Sequence, residues 1–346
     1  MIPRLHISFP PKSQYAYWLG KAYTPQTGEY LLNHARSGIL MALHAALPNG
    51  GRVGVIAYNC HTVANAVLQS GCTPVFVDVT DELHIDLQHA ASLQLDALVL
   101  TNLFGIHNDI AEVRKAVGDI PIIVDNAHGY GLPTEGDFTV YSINQGKFPA
   151  LGEGGILHVN NHTYLAAIQQ QYDALPSYSQ LKEIKLYATM LLKAIVHVPL
   201  VYTLITLPLK KRRKDASCHE AVVLRRMAKG VSRMYQQALP SVPAIIAQQR
   251  NQAQKLVEQI DTLSLVKRTW YGENAFMLIA QSDDPEMLKT YFESHGIETA
   301  THFSRAIDWA TEFGYTKGSC PTAERLTKEL VMIPTYCHKA SLKLKD

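Results

Sequence analysis

The sequence predicts an α/β protein: a mostly parallel sheet with helices on both faces, followed by a small C-terminal α+β domain. Three observations carry this. Short apolar runs alternate with helical patterns between residues 53 and 124, an order that lays strands parallel and covers both sheet faces. The run Ile120 to Val124 ends on Asp125, which brings a carboxylate to a strand's C-terminal end, where open α/β sheets place their ligands. A second run, Phe138 to Ser142, leads to Lys147, a glycine turn (GEGG, 152–155) and a further apolar run, 156–159.

Composition sets the bounds. A chain of 346 residues can bury a large core, about three-quarters of its unfolded surface, and divides naturally into a larger and a smaller domain. The balance of 47% hydrophobic and 18% charged residues fits a globular protein, and a net charge of +2 gives no reason to expect nucleic acid. The five cysteines are scattered without a CxxC pair, so neither a disulfide framework nor a metal site is expected, and a reducing cytoplasm fits. The opening MIPRLHISFPPKS has no apolar core long enough for a secretory signal.

In order along the chain, residues 1–33 are rich in Pro, Tyr and Gly and show no period, so they read as an irregular arm. Ser37-Gly38 precedes ILMALHAAL, a buried helix with Ser37 near its N-cap, and the free amides of such a start suit a phosphate. There follow a strand at 53–58, a helix at about 61–70, strands at 74–79 and 97–103, a helix near 109–117, and the strand that ends on Asp125.

After Val159 the pattern turns helical. Residues 186–209 are almost wholly apolar and lead into KKRRK at 210–214. That length suffices for a bilayer span, but Lys193, His197 and Pro199 oppose one, as does the placing of one domain's flanks on opposite sides. Two readings stay open for 186–214: peripheral contact with the inner leaflet, or a dimer interface beside a solvated basic loop. From Glu220, two helical patterns interrupted at Pro240 and Pro243 lead to strands at about 264–268 and 274–280, the helix PEMLKTYFESHGI, a strand ETATHF and the segment PTAERLTKELVMIPTY.

Asp125 and Lys147 on neighbouring strand ends are the pair that pyridoxal 5'-phosphate chemistry needs. An amine condenses with the cofactor aldehyde, and a buried acid keeps the ring nitrogen protonated. Taken alone, the two residues are equally compatible with a helix-capping Asp and an unrelated exposed Lys.

The intervals around them resemble the DegT-type (DnrJ/StrS-like) sugar aminotransferases, pyridoxal-phosphate enzymes of fold type I: Asp125, His128 where the family has Gln, Ser142 five residues before Lys147, and GEGG behind. The resemblance covers roughly 33–160 well and 220–337 more loosely. It implies a seven-stranded-type large domain at 34–219, with an apolar helical insertion at about 175–219, and a helical linker plus small domain at 220–346. It implies Lys147 as the catalytic lysine with His128 beside it, and Ser37, Gly38, Cys60, His61, Asp125 and Ser142 as cofactor contacts. Cys60 stands where the family has a stacking aromatic, and Ile39 where it has Thr. Arg233, in a reduced Asn-Tyr-Arg motif, is implied to reach a partner's site in a homodimer, and His302 to face substrate. The activity implied is transfer of an amino group, from glutamate, to a nucleotide- or lipid-linked keto-sugar for surface polysaccharide or aminosugar biosynthesis. The changes at Ile39 and Cys60 favour the other reading, a catalytically degenerate scaffold or sensor of envelope assembly.

Overall fold

A computed structural model describes residues 16–196, 198–202, 204, 217–300 and 303–335. Seven strands form one sheet: β1 (Glu29–Leu32), β2 (Arg52–Ile56), β3 (Thr73–Val77), β4 (Ala97–Thr101), β5 (Ile122–Asn126), β6 (Phe138–Ser142) and β7 (Gly155–Val159), in spatial order β1-β7-β6-β5-β4-β2-β3. Strands β2 to β6 run parallel, while β7 is antiparallel to β6 and β1 antiparallel to β7. The helices between them are α1 (Ala35–Ala46), α2 (His61–Gln69), α3 (Leu87–Ser92) and α4 (Ile110–Val117). Strands β4, β5 and β6 are buried at every position, as expected of strands covered on both faces.

The arm is less irregular than its composition suggests. Glu29–Leu32 is fully buried between β7 and the segment around Arg226, so the alternation that marks a half-exposed strand is missing from EYLL. Beyond β7 come α5 (Leu165–Asp173), α6 (Gln180–Val196), a short turn of helix at Pro199–Val201, α7 (Lys229–Ala238) and α8 (Val242–Ile260). The apolar helix therefore begins six residues before the run that suggested it, and the basic run 210–214 lies outside the described residues. The Arg226 amide donates to the Pro176 carbonyl at 3.2 Å, so the excursion between them closes on itself.

The C-terminal region holds a three-stranded antiparallel sheet, β8 (Arg268–Tyr271), β9 (Met277–Gln281) and β10 (Leu330–Pro334), in order β10-β9-β8, with α9 (Pro285–Ser294), α10 (Ala306–Thr311) and α11 (Pro321–Glu329). Of the segment expected as a strand near 298–303, only Ala300 makes a ladder bridge, to Met332, among the described residues. Leu256, Ile260, Leu278, Leu288, Phe292 and Ile333 belong to a core of this region's own. Phe303, Ala306, Phe313, Leu326 and Met332 instead join the core of the large sheet. Asp78, just past β3, fixes this docking: its carboxylate accepts the amides of Thr322 and Ala323 at the start of α11, at 3.0 and 2.8 Å.

The N-terminal ends of the central strands are fastened by Asp137. Its carboxylate accepts from the Ile122 amide (2.8 Å), Arg114 (2.7 Å) and Asn161 (2.8 Å), tying the N-terminal ends of β5 and β6 to α4. Burial alone would push this carboxyl up; the Asn161, Ile122 and Arg114 donors outweigh it and hold it below its ordinary value of 3.8. The sign follows. A depressed acid contributes stability above its unfolded value and loses it as pH falls through the folded one. Asp137→Ala should cost about 2–3 kcal/mol, mostly from the orphaned Ile122 amide and Asn161, because Arg114 is one-third exposed and counts for less. Denaturant melts should show that loss at neutral pH and its shrinkage below about pH 4; an unchanged midpoint would refute the clasp.

Candidate active site

The site is assembled at the carboxyl ends of β4, β5 and β6. Asp125 lies opposite Thr101 in the parallel register, so the Thr101 hydroxyl reaches its carboxylate (3.3 Å) while Asn59, past β2, donates to the same hydroxyl (2.9 Å). The Ala127 amide donates to the other oxygen of Asp125 at 3.0 Å. Burial pushes the Asp125 carboxyl up, and the Ala127 amide, the Lys147 charge and Thr101 pull against it without cancelling it. A carboxyl so enclosed is completed by a cationic N–H.

Three residues after Asp125 the chain presents His128. Its Nε2 stands 2.6 Å from Lys147 Nζ, and its Nδ1 accepts the Phe104 amide at 3.3 Å. An Nδ1 that accepts leaves the ring proton on Nε2, aimed at the lysine. Lys147 then meets it as a neutral amine, and burial, the largest influence on it, lowers its pKa from 10.5 against the opposing pull of Cys60 and Asp125. Geometry and electrostatics both favour the neutral amine, the form that acts as a nucleophile, more than they would in an ordinary lysine.

His128 is held by aromatic faces. Phe104 and Phe276 each stack on it at 5.1 Å, and Phe303 lies nearly parallel at 5.9 Å. Asn274 pins the backbone beneath by donating to the carbonyls of His128 (2.8 Å) and Tyr130 (3.2 Å). Part of this wall therefore comes from the C-terminal region.

A second group of residues gathers at the start of α1. The N-cap is His34, and Ser37 sits three residues on, in the first turn, with its hydroxyl donating to Asn33 (2.9 Å). The helix start presses onto β7 because Gly155 has no side chain: a Cβ there would come within 2.2 Å of the His34 carbonyl carbon. Gly38 lies over the sheet for the same reason, since its Cβ would meet Val140 at 2.8 Å. Asn144 contacts the His34 ring and accepts the Gly154 amide (2.7 Å), linking α1 to the glycine turn. Burial and the neighbouring Arg36 drive the His34 ring down to about 4, so it is neutral at pH 7. Arg36 keeps a buried Nε without a hydrogen-bond partner. An arginine with an orphaned donor, in the first turn of a helix whose amides point outward, fits a phosphate.

Carboxylate, amine and anion-binding helix start together match the three handles of pyridoxal phosphate. Asp125 would take the ring nitrogen, Lys147 the aldehyde, and Arg36 with the first turn of α1 the phosphate. Ser142, buried at the end of β6, accepts the Asn144 amide (3.4 Å). Cys60 is the N-cap of α2 and sits close enough to Lys147 to influence its charge. His61 instead turns its ring edge-on to Trp309 at 5.2 Å. Arg233 donates to the carbonyls of Tyr17 and Trp18 on the arm of its own chain, and His302 lies outside the described residues.

Sequence reasoning missed Arg36, Thr101, Asn59 and the aromatic wall. Arg36 adjoins Ser37-Gly38, but only the settling of the helix start on β7 at Gly155 gives it a role. Phe276 and Phe303 lie far along the chain, where no local signal ties them to His128.

Comparisons with known proteins bear on the family and the fold. The sequence profile described as the DegT/DnrJ/EryC1/StrS aminotransferase family matches residues 31–345. A dTDP-4-amino-4,6-dideoxy-D-glucose transaminase of Escherichia coli is 29% identical over 112 residues; that stretch is 31% of this chain and 30% of the relative, so less than a third of the curated relative is spanned. The sugar aminotransferase CalS13 of Micromonospora echinospora shares the fold at a TM-score of 0.72 and 16% identity, over 97% of this chain and 95% of the other. Spr1654 of Streptococcus pneumoniae, described as a sugar aminotransferase in its PLP form, does so at a TM-score of 0.72 and 14% identity, over 97% and 94%.

A lowered Lys147 has a measurable signature. It keeps its amine free until the pH falls through the lowered value, whereas ordinary lysines are protonated up to about 10.5. Pyridoxal phosphate followed by borohydride at pH 7, mapped by mass spectrometry, should mark Lys147 ahead of every other lysine, and the preference should fade toward pH 10. Even labelling at pH 7 would rule the assignment out.

Proposed function

The chain belongs to the DegT/DnrJ/EryC1/StrS aminotransferase family, whose cofactor is pyridoxal phosphate, and from that premise we propose that it transfers an amino group from glutamate to a keto-sugar carried on a nucleotide. The observation that carries the reading is the 2.6 Å contact of Lys147 Nζ with His128 Nε2 beside the buried Asp125. A degenerate scaffold would have no need to keep an amine neutral in a closed site, so this contact outweighs the changes at Ile39 and Cys60.

When bound, pyridoxal phosphate supplies an aldehyde for amines and a ring that draws electrons from the carbon bearing the amine. The protein's own groups do the rest. Asp125 holds a positive charge at the ring nitrogen, with Thr101 and Ala127 fixing its two oxygens. Lys147 first binds the cofactor, then serves as the base that takes a proton from the amine-bearing carbon and the acid that returns one. His128 directs its Nε2 proton at the reacting end, held in that tautomer by the Phe104 amide. Phe104, Phe276 and Phe303 exclude water around the proton being moved. Glutamate as donor and a homodimer in the cytoplasm follow the family resemblance and complete the reading.

Incubation of the purified protein with pyridoxal phosphate, amine-labelled glutamate and a panel of nucleotide-linked keto-sugars should place label on one sugar, and Lys147→Ala should abolish both that transfer and the visible absorbance of the bound cofactor. Absorbance and labelling both absent from the wild type would favour the scaffold. His128→Phe keeps the ring stack but removes the Nε2 proton. It should lower kcat about a hundredfold with KM little changed, and a KM effect alone would assign His128 to binding.

A further inference from the structure

The insertion carries a face that the chemistry above does not use. One side of α6 packs on the body of the protein: Met190 is buried against the glycine turn, where a Cβ on Gly152 would come within 2.6 Å of its methyl, and Tyr187 lies on Tyr17 at 4.5 Å. Glu183 is turned the same way and accepts the amides of Lys229 and Gly230.

The far side holds Leu181, Ile184, Leu192 and Ile195, whose spacings of three, eight and three residues put them on one stripe. They are 80%, 50%, 61% and 59% exposed, and Leu200 and Leu204, at 70% and 68%, extend the apolar surface past the helix end. A contiguous apolar patch on this scale marks an interaction surface.

Its charge identifies the partner. The exposed ionisable residues of α6 are Lys182, Lys185 and Lys193, all positive, while its one acid points inward. Between residues 180 and 214 the sequence has eight Lys and Arg and one acid, in a chain whose net charge is only +2. A second copy meeting this stripe through a two-fold axis would bring the same lysines toward one another. An anionic bilayer offers the complement, an apolar interior beneath a negative surface.

We propose that α6 and the turn of helix at Pro199–Val201 lie in the plane of an anionic membrane surface, with Leu181, Ile184, Leu192 and Ile195 below the headgroups and Lys182 and Lys185 at the phosphate level. This is peripheral docking, since no helix among the described residues is long and apolar enough to cross a membrane. It stands independently of the transamination reading. Through Met190 on Gly152 it places the active-site turn directly behind the docked face.

Co-sedimentation of the full-length protein with vesicles tests it. The wild type should pellet with equal parts phosphatidylcholine and phosphatidylglycerol, stay in the supernatant with pure phosphatidylcholine, and be released by high salt. Leu192→Glu/Ile195→Glu and Lys182→Glu/Lys185→Glu, at exposed sites and with unchanged circular dichroism and Tm, should each lower binding roughly tenfold or more. Equal binding to both vesicle types, or variants that bind like the wild type, would overturn the proposal. So would absence of vesicle binding with a concentration-dependent dimer that Leu192→Glu dissociates, which would give the stripe to a second copy.

Discussion

Burying a carboxyl and an amine at one edge of a sheet is the constraint on which this structure turns. Neither charge is sustained alone in a low-dielectric interior, where an isolated ion costs far more than a hydrogen bond returns. Here Asp125 is pushed toward its neutral form and Lys147 toward its own, each moderated by the other's charge. The pair is thus poised to exchange protons with whatever is bound between them. That poise depends on position, because both residues sit at or just past the ends of parallel strands whose register is fixed by the ladder from Thr101 to Asp125 and from Asp125 to Val140.

The rest of the molecule keeps those ends in place from two directions. At the N-terminal ends Asp137 fastens β5, β6 and α4, so any slip of one strand against the other would have to break three bonds to a single carboxylate. At the C-terminal ends Asn274 and Phe276 reach across from the smaller sheet and brace the backbone and ring of His128. The Asp78 cap on α11 and the ion pairs Arg268–Glu82 and Arg325–Asp81 fix that brace against β3. The ion pairs are half-exposed and add little stability; the buried Asp78 cap bears more of the load.

Much of this was legible before any coordinates. The strands ending on Asp125 and Ser142 announce themselves because buried parallel strands are continuous apolar runs, and the interval from Ser142 to Lys147 with the glycine turn behind it points to one chemistry. Legibility failed where position depends on distant chain. β1 hides because EYLL is covered on both faces and shows no alternation. The exact start of α1 hides because the residue that caps it is His34, whose side chain makes no capping bond and so leaves no cap signature. Arg36 went unread because a lone arginine acquires meaning only once Gly155 lets the helix start settle on β7. The stripe on α6 was visible as hydrophobicity, but only the fold separates the face turned inward through Met190 from the one turned to water.

The hydrogen bond between Arg226 and Pro176 has an evolutionary corollary. The chain leaves the body and returns at nearly the same point, so lengthening or replacing the intervening stretch changes loop-closure entropy only logarithmically, by about 0.6 kcal/mol per doubling. The later part of the detour, between α6 and Arg226, can therefore vary in length at little entropic cost, while Met190 and Glu183 keep its first helix seated on the glycine turn and on α7.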